Sequence, residues 1–229
     1  MINKVSIDAT GGKMAMLLGI PEGAGPFPTI VVAHHRWGLD SFTNSVVERL
    51  NKNGFIAAAP NFYNRRPEGE DTGESMKYLD DDQIIADIKT TAAYLQSQPQ
   101  AKRGAEGMMG HCMGGRHSFL AATAYPFKAA VMLYGGSVNQ SRNGKPPALT
   151  RAASISCPIL GFFGKDDKNP SPADMKEIDA ELTRLGKKHE FHAYDGAGHA
   201  FQNFNDERYR EASSEDAWRR YLGFFRETL

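Results

Sequence analysis

The feature that most constrains this chain is a repeated alternation of strand-sized apolar runs with segments of helical period. Residues 29–33 and 55–59 are short β-rich runs. Between them Phe42, Val46, Val47 and Leu50 recur at helical spacing behind a Ser41 cap, with Gly54 as the stop. The unit then returns: Ile84, Ile88, Ala92 and Leu95 mark a helix, 106–109 a short strand, 119–122 part of another helix, and 129–134 a further strand. Residues 159–163 form a strand, and Ser171-Pro172 opens a helix bearing Met175, Ile178, Leu182 and Leu185 that Gly186 closes. The last strand is 190–194, and Ala217, Trp218, Tyr221, Leu222 and Phe225 give the closing helix its apolar face. Ahead of all these, 5–9 and 14–20 flank Gly11-Gly12 as a hairpin.

Strands separated by helices require right-handed crossovers. The predicted fold is therefore α/β, a mostly parallel twisted sheet with helices on both faces and its chemistry at the carboxyl ends of the strands. The chain has 229 residues, no linker and no compositional break, which predicts a single domain over 1–229. Two segments, 61–79 and 135–153, exceed simple turns and are expected to frame a substrate entrance.

Lysine plus arginine equal aspartate plus glutamate at 27 each, so there is no broad basic footprint for nucleic acid and no polyacidic tail. A small molecule is the expected partner, for a monomer or small homo-oligomer. Two cysteines cannot build a disulfide framework, and no charged stretch followed by an apolar one opens the chain, so a cytoplasmic setting is expected. The apolar runs fall far short of the roughly 20 residues of a membrane span, and no membrane association is predicted.

Chemistry concentrates in three places that follow strands. Gly110-His111-Cys112-Met113-Gly114-Gly115 lies between a strand and a helix, the setting of a nucleophile elbow with cysteine in the usual serine position. Side chains at Gly110 or Gly114 would collide with the neighbouring chain, and the turn forces strained angles on the nucleophile. The helix start favours the thiolate and aims the Met113 amide where an oxyanion would form. A lone cysteine elsewhere is a small buried hydrophobe, the reading given to Cys157. His111 would point away from the sulfur. Gly196-Ala197-Gly198-His199-Ala200-Phe201 supplies the imidazole in a loop after the last strand. Gly164-Lys165-Asp166-Asp167 supplies the acid; both aspartates cannot face the imidazole, and spacing from Gly164 favours Asp167, leaving Asp166 as a turn or cap.

With the elbow, the glycine-plus-aspartate turn and the Gly-His-Ala-Phe segment in this order, the chain resembles the dienelactone hydrolase family of α/β-hydrolases from about Val5 to its final helix. The resemblance implies a triad of Cys112, His199 and Asp167, an acyl-enzyme intermediate, no cofactor, and an oxyanion hole made by the Met113 and Arg36 amides. It departs from the family at His35, which stands where founding members carry a glutamate paired with the resting thiol, so His35 either holds the thiolate or only shapes the pocket. The family grips a substrate carboxylate with two arginines. Arg65 takes the first place and Asn203 the second, with Arg36 or Arg66 able to compensate. Trp37, Tyr63, Tyr134 and Phe201 sit beside site-forming loops as candidate pocket walls. A metal held by His34 and His35 is not expected, because neighbours on a strand point to opposite faces. The expected function is hydrolysis of a small ester or lactone. The alternatives are a thioesterase with another acyl substrate, or a non-catalytic binding or redox-sensing protein on the same fold.

Overall fold

β1 (Ile2–Ala9) and β2 (Gly12–Gly19) form an antiparallel hairpin whose turn residues Gly11 and Gly12 have φ of 90° and 130°, angles that favour glycine. In this computed structural model, which describes residues 1–67 and 72–229 and only the backbone of 72–74, the hairpin edges an eight-stranded sheet. The other strands are β3 (Phe27–Ala33), β4 (Ile56–Pro60), β5 (Ala101–His111), β6 (Ala129–Leu133), β7 (Ile159–Gly164) and β8 (His189–Tyr194). Their order is β1-β2-β4-β3-β5-β6-β7-β8. β2 meets β4 antiparallel, and every pairing from β4 onward is parallel.

Among the described residues five α-helices cover the sheet: α1 (Ser41–Lys52), α2 (Asp81–Ser97), α3 (Met113–Ala122), α4 (Pro172–Arg184) and α5 (Glu211–Thr228). Alternation along the strands divides the interior in two. Ile30, Val32, Val131 and Leu133 point to one face and pack with Phe42 and Val46 of α1 and Trp218 and Tyr221 of α5. Val31, Ala33, Ala130 and Met132 point to the other, against Ile84 and Ile88 of α2, Phe119 of α3 and Ile178 of α4. Central strands buried on both sides need continuous apolar runs, which is why β4 and β6 are buried at every position.

Two expectations are corrected. The cap of α1 is Asp40, whose side chain accepts from the Thr43 N–H at 2.9 Å from an extended backbone, while Ser41 is already helical and its hydroxyl accepts from Asn205 Nδ2. β5 starts earlier than 106, at Ala101, which pairs with Phe27 ahead of a register irregularity, and regular pairing with β3 resumes at Glu106. The capping box of α4 joins Ser171 and Asp174 as the Ser-Pro start implies. The long segments hold short 3₁₀ turns at Thr72–Tyr78 and Ala148–Ser154; the part of the expected entrance at 68–71 lies outside the described residues. Among the described residues no helix is long and apolar enough to cross a membrane.

Candidate active site

The carboxyl ends of β3, β5, β6, β7 and β8 release their loops to the same edge of the sheet, where side chains far apart in sequence meet. β5 ends at His111 and α3 starts at Met113, so Cys112 alone makes the turn, with φ 56° and ψ −120°. Such a conformation costs about 1–3 kcal/mol in a non-glycine residue and persists only where its surroundings fix it. Here the Cys112 N–H donates to the Leu133 carbonyl at 3.0 Å, and its own carbonyl accepts from Gly115 N at 2.9 Å. A Cβ on Gly110 would run into the Gly114 carbonyl, and one on Gly114 into the Ala33 carbonyl. The glycines are the spaces that let the helix start press against two strands.

His199 reaches this turn from the loop after β8. Its Nε2 lies 2.9 Å from Cys112 Sγ, and its Nδ1 lies 2.8 Å from Asp167 Oδ2. The other oxygen of Asp167 accepts the Asn169 N–H at 2.9 Å, which fixes the carboxylate. Asp167 is buried, whereas Asp166 is exposed and meets the 197 carbonyl only through its backbone N–H. Burial alone would push the His199 pKa down, but the Asp167 hydrogen bond and the Cys112 sulfur outweigh it and raise the value to about 10. Burial likewise opposes ionisation of Cys112. The His199 hydrogen bond and charge, together with the Met113 and Arg36 amides that point at the sulfur, reverse that and lower its pKa. Both shifts favour a thiolate–imidazolium pair.

Burial pushes the pKa of His34 and of His111 down, and both rings are engaged in the structure. His34 uses Nδ1 toward the His35 carbonyl (2.6 Å) and Nε2 to accept the Phe62 N–H (3.1 Å), with its pKa lowered to about 4. Both ring nitrogens are thus spent, leaving none for a metal. His111 turns from the sulfur to Gln202 at 2.8 Å. Cys157 is buried in the core, where desolvation pushes its pKa up to about 11.

In front of Cys112 lies a cavity of about 670 Å³ whose walls include Met76, Met113, Ser137, Arg142, Lys168 and Arg208 beside the three residues just described. None of the six side chains expected from sequence to bind substrate lines it. His35 faces away from the sulfur, with Nε2 3.0 Å from Asp40 Oδ2 and its ring edge-on to Phe42. Trp37 stands largely exposed outside the cavity under the Arg36 guanidinium. Tyr63 is a buttress: its hydroxyl donates to the Arg36 carbonyl at 2.8 Å and touches Met113 Sδ at 3.6 Å. Tyr134 and Phe201 are fully buried behind the site, Tyr134 edge-on to His199 at 5.2 Å and to Phe201 at 5.1 Å. Arg65 is held by Asp87 in a bidentate pair (2.7 and 2.8 Å) and also reaches the Thr10 carbonyl, tying the β1–β2 turn to α2. Arg66 donates to Ser75 Oγ, and Asn203 is buried. Sequence reasoning missed Arg142, Lys168 and Arg208. Arg142 lies inside the 135–153 segment already marked as too long for a turn, the one signal that pointed to it.

A model of the dienelactone hydrolase family matches residues 14–229. A Synechocystis protein provisionally named carboxymethylenebutenolidase is 30% identical over 98% of this chain and 96% of its own length. A Bradyrhizobium protein provisionally named 2-oxo-3-(5-oxofuran-2-ylidene)propanoate lactonase is 27% identical over 97% of this chain and 92% of its own. A crystal structure from Klebsiella pneumoniae, described as that of a provisional dienelactone hydrolase, superimposes with a TM-score of 0.90 at 28% identity, covering 98% of both chains.

Proposed function

This chain belongs to the dienelactone hydrolase family and is an ester-bond hydrolase of the α/β-hydrolase fold, and we propose that it cleaves a small ester or lactone through an acyl-enzyme on Cys112. The observation that carries this reading is the unbroken chain from Cys112 Sγ to His199 at 2.9 Å and from His199 to Asp167 at 2.8 Å. A thiolate already paired with an imidazolium needs no separate base for the first step.

In acylation the Cys112 sulfur attacks the carbonyl carbon, and the carbonyl oxygen becomes an oxyanion held by the N–H groups of Met113 and Arg36. Those amides now point at the sulfur. The oxyanion collapses, the carbon–oxygen ester bond breaks, and the His199 imidazolium gives its Nε2 proton to the departing alkoxide. In a lactone that alcohol stays tethered to the acyl chain. Neutral His199 then takes a proton from water, hydroxide adds to the thioester carbon, and the carbon–sulfur bond breaks to return thiolate and imidazolium. Asp167 stabilises the imidazolium in the resting state and keeps Nε2 aimed at the reacting atoms. Tyr134, packed edge-on against the ring, restricts its swing.

Assay with nitrophenyl acetate tests the reading. Cys112→Ala is expected to abolish turnover, and Cys112→Ser to retain a small measurable fraction of it. Full turnover by the alanine variant rejects the mechanism, and profiling lactones against acyl-thioesters sorts the acyl-donor class.

A further inference from the structure

The two amides of the oxyanion hole are set by different means. The Met113 N–H is fixed by the elbow and the start of α3. The Arg36 N–H belongs to the loop between β3 and α1, where no helix dictates which way a peptide faces. A trans peptide is a rigid unit whose N–H points opposite to the carbonyl of the preceding residue, and the 35–36 bond is trans. Whatever holds the His35 carbonyl therefore aims the Arg36 N–H.

His34 holds it. Its Nδ1 lies 2.6 Å from the His35 carbonyl oxygen, which also accepts the Gly38 N–H at 3.0 Å. The tautomer is dictated by the other side of the ring. Nε2 faces the Phe62 N–H at 3.1 Å, and a main-chain N–H can only donate, so Nε2 carries the lone pair and the proton sits on Nδ1. With the proton on Nε2, two donors would oppose each other at Phe62 and two acceptors at His35, around a ring buried from water. Burial also lowers the His34 pKa to about 4, so the ring is neutral near neutral pH. Phe62 and Tyr63 pack against it with ring centroids at 5.0 and 5.1 Å. Tyr63 adds a second stop by donating to the Arg36 carbonyl at 2.8 Å, so the peptides on both sides of Arg36 are held.

We propose that His34 is a positioning residue of the oxyanion hole: locked by the Phe62 N–H as its Nδ1–H tautomer, it holds the His35 carbonyl turned away from the sulfur and keeps the Arg36 N–H on the reacting oxygen. The inference goes beyond the acyl-enzyme reading and rests on it. His34 is not among the walls of the cavity and acts through one peptide bond. A flip of that peptide would aim a carbonyl oxygen at the developing oxyanion, and the Nδ1 proton opposes the flip. Donation to the carbonyl also polarises the peptide and strengthens the N–H on its far side.

The test compares His34→Phe, which has neither nitrogen, with His34→Asn, whose side-chain amide stands at the Nδ1 position and can donate there. Both leave the Phe62 N–H without its acceptor, so the difference between them reports the donor alone. His34→Phe is expected to lower kcat and kcat/KM for nitrophenyl acetate alike by about 10²-fold, the scale of one oxyanion donor. His34→Asn should recover at least about tenfold of that loss. Alkylation of Cys112 by iodoacetamide displaces iodide from a saturated carbon and forms no oxyanion. Its rate should stay within about threefold in both variants, because His199 does most to hold the thiolate. Nitrogen-15 NMR of the histidine-labelled wild-type chain, with the His34 signals identified by their loss in His34→Asn, should show a proton on Nδ1 and none on Nε2. That measurement stands whether or not the phenylalanine variant folds. A wild-type ring protonated on Nε2, hydrolysis by His34→Phe within about threefold of wild type, an asparagine variant no better than the phenylalanine one, or alkylation falling in step with hydrolysis overturns the proposal. Turnover by Cys112→Ala is a separate outcome that judges the acyl-enzyme reading itself.

Discussion

The two walls of the cavity are built by different means. On the elbow wall, Cys112 is placed by backbone alone: a positive φ, three main-chain hydrogen bonds, and glycines pressed so close to neighbouring carbonyls that no side chain fits. On the loop wall, Arg142 and Ser137 are placed by side-chain bridges from Lys145, Asn143 and Asn169 to other segments. The first arrangement tolerates almost no substitution and leaves a local signature in sequence. The second can change partner by partner, which suits the part of a site that decides which substrate enters.

Predictions that strain this contrast begin with its largest expected effect. Cys112→Ala should lower kcat/KM by at least about 10⁴-fold in an ester assay. Asp167→Asn is expected to cost about 10²- to 10⁴-fold, because the imidazolium loses its stabilising charge and the wrong tautomer is favoured, while Asp166→Asn stays within about twofold. Equal losses for the two aspartates would break the assignment of the orienting acid. Gly114→Ala should destabilise the protein by about 4 kcal/mol or prevent folding, read by urea unfolding. On the loop wall, Gly144→Ala meets open space at φ 73° and should cost only about 1 kcal/mol.

The arginines sharpen the comparison further. Removing Arg65 strands the buried Asp87 carboxylate, a loss of about 3–5 kcal/mol. Arg142→Gln breaks no side-chain pairing among the described residues and should leave stability within about 0.5 kcal/mol.

pH dependence follows from the triad alone. His199 is raised from 6.5 to about 10, so its charged form is favoured by folding; that stabilisation is complete below pH 6.5 and is lost as pH rises through about 10. Cys112 is lowered, so its contribution is present above the ordinary thiol value and lost as pH falls through its folded value. A profile of kcat/KM should therefore rise with thiolate formation on the acid side, run level, and fall near pH 10 as the imidazolium deprotonates. A bell centred on an unperturbed histidine would contradict the ion pair.

The same contrast explains what was legible in sequence. The succession of strands and helices follows from periodicity, and the turns that carry Cys112, Asp167 and His199 follow from glycines placed just after strands, because the backbone dictates both. Even the choice between adjacent aspartates follows from their distance to Gly164, where the turn leaves one inward and one exposed. Arg65 could not be placed in this way. Its position after β4 suits a substrate anchor, yet whether it faces the cavity depends on Asp87, 22 residues along on α2. Likewise His35 is governed by Asp40, and Ser41 yielded the cap to that same residue. Long-range side-chain partners have no period, so the loss of Arg65 to Asp87 leaves no mark in the sequence.

The central claim is that the Cys112 sulfur forms a covalent bond to the acyl group. Mass spectrometry of protein mixed with nitrophenyl acetate and quenched in acid measures it directly. The account predicts an acetyl group on the peptide containing Cys112, appearing with the first equivalent of nitrophenolate and disappearing as substrate is exhausted. Release of nitrophenolate with that peptide unmodified throughout, or with the acetyl group residing on another residue, would contradict it.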